Sequence, residues 1–181
     1  VGGTYAYKYK KLIELLEIKS LIITDIDYEK DSIAISEILK STITNSTIQN
    51  FYGDTIKNNK QPEVKDLYLW VKEEKNILNN MIYIAFQSKE DGYTRTLEEA
   101  MLSKYYNKEI DILYTKAELE KIRKESKLKF SIPKNIEQIS LRDVLISSKN
   151  NKTDFMYSVI LNNLVEDMEP EYIHRGLKWL M

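Results

Sequence analysis

The sequence predicts an α/β fold, a mainly parallel sheet flanked by helices, with its ligand end at the C-terminal tips of the strands. Three observations predict it. Leu21-Ile22-Ile23-Thr24 is a short run that favours a buried inner strand, and it ends in Asp25-Ile26-Asp27. Met81 to Phe86 is a second run of the same kind. Around both, apolar residues recur at helical spacing. Short buried runs alternating with helical segments make crossover units, whose ligands gather where the strands end.

Taken in order, Val1-Gly2-Gly3 reads as the end of a strand entering a tight turn. Tyr5 to Glu17 reads as a helix, with Leu12, Leu15 and Leu16 on one face and Lys8, Lys10 and Lys11 on another. With the strand at Ser20 to Asp25 this makes a right-handed parallel crossover. Tyr28 to Lys60 is polar and reads as a long loop beside the strand end, with a short helix or strand within Ile33 to Leu39. Glu63 to Lys72 is a helix after Pro62, with Val64, Leu67, Tyr68 and Val71 at i, i+3, i+4 and i+7.

After the strand at Met81 to Phe86, Gln87 to Tyr93 is a turn containing Asp91-Gly92. Thr96-x-x-Glu99 and Thr115-x-x-Glu118 have the capping-box pattern and open two helices, the second running to about Lys127. The cations of that second helix, Lys116, Lys121, Arg123, Lys124 and Lys127, with Lys129 beyond it, alternate with Glu118, Glu120 and Glu125. That mixture favours a solvated face over a dedicated DNA patch. Phe130 to Ile139 is irregular around Pro133, and Ser140-x-x-Asp143 caps a short helix to Ile146. Lys152 to Leu164 is helical, with Met156, Val159, Ile160 and Asn163 on one face. Pro170 opens a last helix striped by Ile173, Leu177 and Leu180.

Composition narrows the chemistry. The 181 residues are 43% hydrophobic and 30% charged, enough for one domain with a real core. No apolar run is long enough to span a membrane and no signal-peptide pattern opens the chain, which fits a cytoplasmic protein. Cysteine is absent, so no disulfide or thiolate zinc site is possible, and the single histidine excludes any two-histidine site. His174 reads as a surface or packing residue, and the 13 tyrosines as core packing rather than a base-stacking surface. The net charge of −1 makes the chain no polycation, so any nucleic-acid contact is local. Residues alternate along a strand, so Asp25 and Asp27 leave on the same side. Two carboxylates there suit a hard divalent cation such as Mg²⁺, while two aspartates in a solvated turn are the plain alternative.

Read together, Val1-Gly2-Gly3 with its Lys-rich helix, Leu21 to Asp27, Arg95-Thr96-Leu97-Glu98-Glu99-Ala100 and Lys152-Thr153-Asp154-Phe155 resemble the C-terminal Toprim region of OLD-family nucleases (overcoming lysogenization defect). The nuclease subunits of Gabija phage defence belong to that group. The ending Pro170-Glu171-Tyr172-Ile173 and Gly176-Leu177-Lys178-Trp179-Leu180 also resembles the close of such proteins.

The resemblance implies a Toprim-like parallel sheet with a helical insertion. It divides the chain into a Toprim core at 1–106, a mainly helical insertion at 107–150 and closing helices at 151–181. It implies metal-dependent DNA cleavage, with Asp25 and Asp27 as ligands of Mg²⁺ or Mn²⁺ in a two-metal centre and Lys152 near the scissile phosphate. Glu98 or Glu99 supplies a further acidic group. Thr96 as N-cap turns Glu99 back on the cap, which favours Glu98 as the ligand. Arg95 either contacts DNA phosphate or pairs with a glutamate.

Partners are implied in the same way: DNA, an N-terminal ABC-type ATPase domain that brings ATP to the parent protein, further copies of the chain, and a helicase-like protein if the parent is of Gabija type. The family's first strand, and the glutamate that follows it in a Glu-Gly setting, have no counterpart before Val1. The chain is therefore expected to be a piece of a longer protein and catalytically incomplete alone.

Two rivals compete. A haloacid-dehalogenase-type phosphatase also ends a strand in Asp-x-Asp, but it prefers Thr or Val where this chain has Glu29, and only Gly53-Asp54 offers a partial later acidic motif. A non-catalytic Toprim-like module for DNA binding or assembly is the other. Primases and topoisomerases share Asp-x-Asp but lack the Arg-Thr-Leu-Glu-Glu and Lys-Thr-Asp-Phe pairing.

Overall fold

The computed structural model of the chain describes residues 3–28, 34–56, 61–148 and 151–181. The expected strand end at Val1-Gly2 lies outside them. The fold is α/β, with many helices around a small mixed sheet. Strands β1 (Ser20–Ile23), β2 (Ile77–Leu78) and β3 (Ile82–Ala85) lie in the order β1-β3-β2. β1 runs parallel to β3, with Ser20 opposite Ile82 and Ile23 opposite Ala85; β2 is antiparallel to β3.

The inner strand is thus β3, all four of whose residues are buried. β1, expected to be inner, pairs with β3 alone among the described residues, and Ile23 is 41% exposed. Its apolar run serves an edge strand, with Ile22 in the main core on one face and Leu21 against α9 on the other. β2 has too few residues to show a period, which is why the sequence does not reveal it.

The segment expected to be one helix from Tyr5 to Glu17 begins as a 3-10 turn, Gly3–Tyr9, and becomes α1 (Lys10–Leu16), closed by Glu17 in the left-handed conformation. The expected loop from Tyr28 to Lys60 contains α2 (Ile35–Ile38) and α3 (Ser46–Ile56). The Asn45-Ser46-Thr47 cluster that reads as a turn is the start of α3, where Asn45 Oδ1 accepts from the Ile48 amide at 3.2 Å. Ile48 and Phe51 of that helix are completely buried.

α4 (Val64–Lys72) puts Val64, Leu67 and Trp70 in the core, and Trp70 stacks on Phe86 just past β3. α5 (Leu97–Tyr106) follows the N-cap Thr96. Tyr114–Thr115 (β4) and Gln138–Ile139 (β5) form an antiparallel ribbon, with α6 (Lys116–Ser126) between them and α7 (Leu141–Ser147) after them. Both later capping boxes form as the sequence predicts, at Thr115/Glu118 and Ser140/Asp143.

Two helix faces differ from expectation. α8 (Lys152–Leu161) buries Phe155, Ser158 and Val159, leaving Ile160 more than half exposed. The i, i+4 pair Phe155/Val159 offers an aromatic ring to the core, which outweighs the aliphatic face. α9 (Glu171–Leu180) starts after Pro170, which is its N-cap, and buries Tyr172 and Gly176 rather than Leu177 and Leu180. A Cβ at Gly176 would lie 2.8 Å from Leu21 Cδ1 and 3.3 Å from Ala85 Cβ. The helix therefore approaches β1 and β3 through its glycine, and Trp179 packs edge-on to Tyr83. Among the described residues no helix is long and apolar enough to cross a membrane.

Candidate active site

β1 and β3 end side by side, and the chain beyond each is held by polar side chains. The Thr24 amide continues the pairing to Ala85 O at 3.0 Å. Asn45 Nδ2 then donates to Thr24 Oγ1 and to the Asp25 carbonyl, both at 2.8 Å. Gln87, two residues past β3 and fully buried, accepts from the Ile26 amide at 2.8 Å through Oε1. Its Nε2 donates to Asp25 Oδ1 at 2.7 Å and to the Tyr172 hydroxyl at 3.3 Å. One amide side chain thereby ties the two strand ends and α9 together and aims the Asp25 carboxylate.

That carboxylate faces the start of α5, where the Leu97 amide donates to it. Burial pushes the Asp25 carboxyl up to about 6; the bonds from Gln87 and Leu97 work against this, and the nearby charges of Asp27 and Glu98 add to it. Asp27 follows in the left-handed conformation, φ 45°, and its carbonyl accepts from the Thr44 amide and hydroxyl at 2.7 and 2.9 Å. Burial raises the Asp27 carboxyl too, opposed by a bond from Asn45 and by the Arg95 charge.

The neighbouring glutamates part company. Glu98 turns toward Asp25 and pairs with Lys152 Nζ at 3.0 Å, at the first residue of α8. Burial raises its carboxyl, but bonds and charge from Lys152 with a bond from Thr96 hold it below its ordinary value. Glu99 points into the core. Its Oε1 accepts from Arg142 Nε at 3.1 Å, and its Oε2 accepts from the Arg95 amide at 2.7 Å. Glu99 thus bonds one residue short of the expected capping box. Arg142 is 2% exposed and also donates to the Tyr28 hydroxyl. Arg95 lies over the Tyr28 ring, on the side of the site nearest Asp27.

The structure therefore brings Asp25, Asp27, Glu98, Lys152 and Arg95 to one end of the sheet, and sets Glu99 behind them. Their oxygen donors fit a hard divalent cation. Among the described residues, however, no three acidic or histidine side chains converge closely enough to hold an ion as they stand. Asp54 of the rival phosphatase motif lies elsewhere, paired with Lys10 at 2.6 Å. His174 is exposed and meets Glu169.

Sequence reasoning misses Gln87, Asn45, Tyr172 and Arg142. A signal exists for Gln87, a polar residue directly after a buried strand, in the position Asp25 holds after β1. None exists for Arg142, which sits inside a capping motif.

No family model and no solved structure matches the chain. Among curated proteins, Endonuclease GajA of Bacillus cereus (strain HuB5-5) is 30% identical over a 200-residue alignment that covers 99% of this chain. The chain spans 26% of the length of that relative. Along nearly its whole length, then, the chain is a relative of an OLD-family-like nuclease of the Gabija kind, the resemblance that its motifs suggest.

Proposed function

We propose that this chain forms the Toprim-like metal centre of a DNA endonuclease. The observation that carries the reading is the set of three carboxylates, Asp25, Asp27 and Glu98, gathered at the strand ends with Lys152 beside them. A carboxyl raised by burial, with two like charges beside it, is a group waiting for a counter-charge, and Mg²⁺ or Mn²⁺ would supply one through oxygen ligands. The similarity to an endonuclease over almost the full chain supports the same reading.

In this reading Asp25, Asp27 and Glu98 hold the cation or cations, which would activate a water and stabilise the leaving oxygen of a phosphodiester. Lys152, which pairs with Glu98 at 3.0 Å, would be freed to neutralise the phosphate where Glu98 held a cation instead. Arg95 supports Asp27 or contacts the DNA. Glu99 orients the start of α5 through Arg142 and ligates nothing. A 1–106 core, a 107–150 insertion and the closing helices at 151–181 belong to this proposal. So do a parent protein with an ATPase domain, further copies of the chain, a helicase-like partner in phage defence and a cytoplasmic setting.

One observation favours the second reading, a non-catalytic DNA-binding module: the described carboxylates do not close around a single point. Nicking of supercoiled plasmid in Mn²⁺ separates the two, with the chain supplied alone and as part of a full-length protein. The nuclease reading expects the full-length protein to nick and its Asp25→Asn variant, folded to the same extent, to be silent. A folded full-length protein that nicks nothing with either metal favours the module, and nicking untouched by Asp25→Asn removes the proposed site.

A further inference from the structure

We propose that the groove between α6 and α8 binds the phosphate backbone of DNA and leads it to Lys152. The inference rests on the nuclease reading for what happens at the groove's end, and on separate residues for the groove itself.

The charges of α6 read from the sequence as a mixed, solvated face, but in three dimensions they are sorted. Glu118 is turned back on the Thr115 cap, accepting from its amide and hydroxyl at 2.7 Å. Glu125 faces Lys121 at 4.0 Å. Arg123, Lys124, Lys127 and Lys129 instead line a cavity of about 970 Å³, against only Glu120 and Asp154. All four cations are exposed, and among the described residues Lys124, Lys127 and Lys129 make no ion pair. A concave cluster of unpaired cations suits a polyanion, and phosphate contacts of this kind position a strand without reading its bases.

The groove is also anchored and directed. The Lys129 amide donates to Ser158 Oγ on α8 at 2.9 Å, fixing the lysine segment against that helix. Lys152 opens the same helix six residues earlier, about 9 Å along its axis, and there meets Glu98 at 3.0 Å. At about 3.4 Å of axial rise per nucleotide, that is two to three nucleotides from the Ser158 anchor to Lys152. Asn151, next to Lys152, lines the groove's near end.

The test measures binding of a fluorescent 20-base-pair duplex to the 181-residue chain in EDTA, over a series of salt concentrations. The triple variant Lys124→Gln, Lys127→Gln, Lys129→Gln is compared with a charge-matched control, Lys8→Gln, Lys11→Gln, Lys40→Gln. Loss of three phosphate contacts lowers the slope of log affinity against log salt by about 2.7, and each single variant lowers it by about 0.9, while the control keeps the wild-type slope. The single variants carry the test should the triple fold poorly. A wild-type chain that binds no duplex, groove variants with the wild-type slope, or a control that loses as much, would overturn the proposal. Plasmid nicking in Mn²⁺ is scored separately. Groove variants that lose binding in a protein that never nicks leave the groove standing and remove the nuclease reading.

Discussion

Asp25 concentrates the physical tension of the molecule. A carboxyl raised to about 6 is protonated more readily in the folded chain than in the unfolded one, where aspartate titrates near 4. The sign follows: its contribution to stability is greatest below about pH 4 and is lost as pH rises through about 6. At neutral pH the metal-free fold then carries a cost on the order of 2 to 3 kcal/mol at this residue. Asp25→Asn is therefore expected to stabilise the metal-free protein at pH 7 by about 1 to 3 kcal/mol and by almost nothing at pH 4. Urea denaturation in EDTA at the two pH values measures this; equal stabilities for variant and wild type at pH 7 would contradict it.

Gln87 is the opposite case, a buried group with both ends satisfied. Gln87→Leu strands the buried Ile26 amide and leaves Asp25 with the Leu97 amide but without its side-chain donor, at an expected cost of about 2 to 4 kcal/mol. A urea midpoint unchanged from wild type would mean that the clamp carries no weight. At this scale the acidic candidates were legible, because Asp-x-Asp after an apolar run is a local pattern. The groups that aim them were not, since Gln87 lies 62 residues from Asp25 and Arg142 lies 43 from Glu99.

Between elements, α5 and α7 are joined by the buried Glu99–Arg142 pair and α9 meets the sheet through Gly176. Removing one partner of a buried pair leaves the other's charge stranded, so Arg142→Met is expected to cost about 3 to 5 kcal/mol. The double variant Glu99→Gln, Arg142→Met is expected to recover much of that loss in thermal or urea unfolding. A double variant as unstable as Arg142→Met alone would place Arg142's role elsewhere. Gly176→Val overfills the contact with Leu21 and Ala85, with an expected loss of about 1 to 3 kcal/mol by the same measurement.

Helices with caps were legible because Thr115/Glu118 and Ser140/Asp143 are chemistry within four residues. α3 was not, because Asn45 as a cap and Asn45 as a turn residue look the same until Ile48 and Phe51 find a core to enter. The faces of α8 and α9 were misjudged for a related reason. Which stripe is buried depends on the partner surface, and α9 meets the sheet through its glycine.

As a whole, the chain builds an α/β frame whose strand ends carry acidic groups and whose α6–α8 groove carries cations. The near-zero net charge hides that separation, so only the folded arrangement exposes it. The fold class was legible from strand and helix periods. The mixed character of the sheet was not, since β2 is two residues long and no period marks its direction. The family resemblance reached further than periodicity could, linking Asp25, Glu98 and Lys152 across more than a hundred residues; the structure brings the three to one end of the sheet.

The central claim is that these carboxylates bind a divalent cation. Mn²⁺ titration of the 181-residue chain followed by electron paramagnetic resonance tests it most directly, comparing wild type with Asp25→Asn, Glu98→Gln and Glu99→Gln. Wild type is expected to bind, Asp25→Asn not at all, Glu98→Gln at least tenfold more weakly, and folded Glu99→Gln nearly as wild type does. Wild type without affinity for Mn²⁺, or Asp25→Asn and Glu98→Gln binding as wild type does, would contradict it.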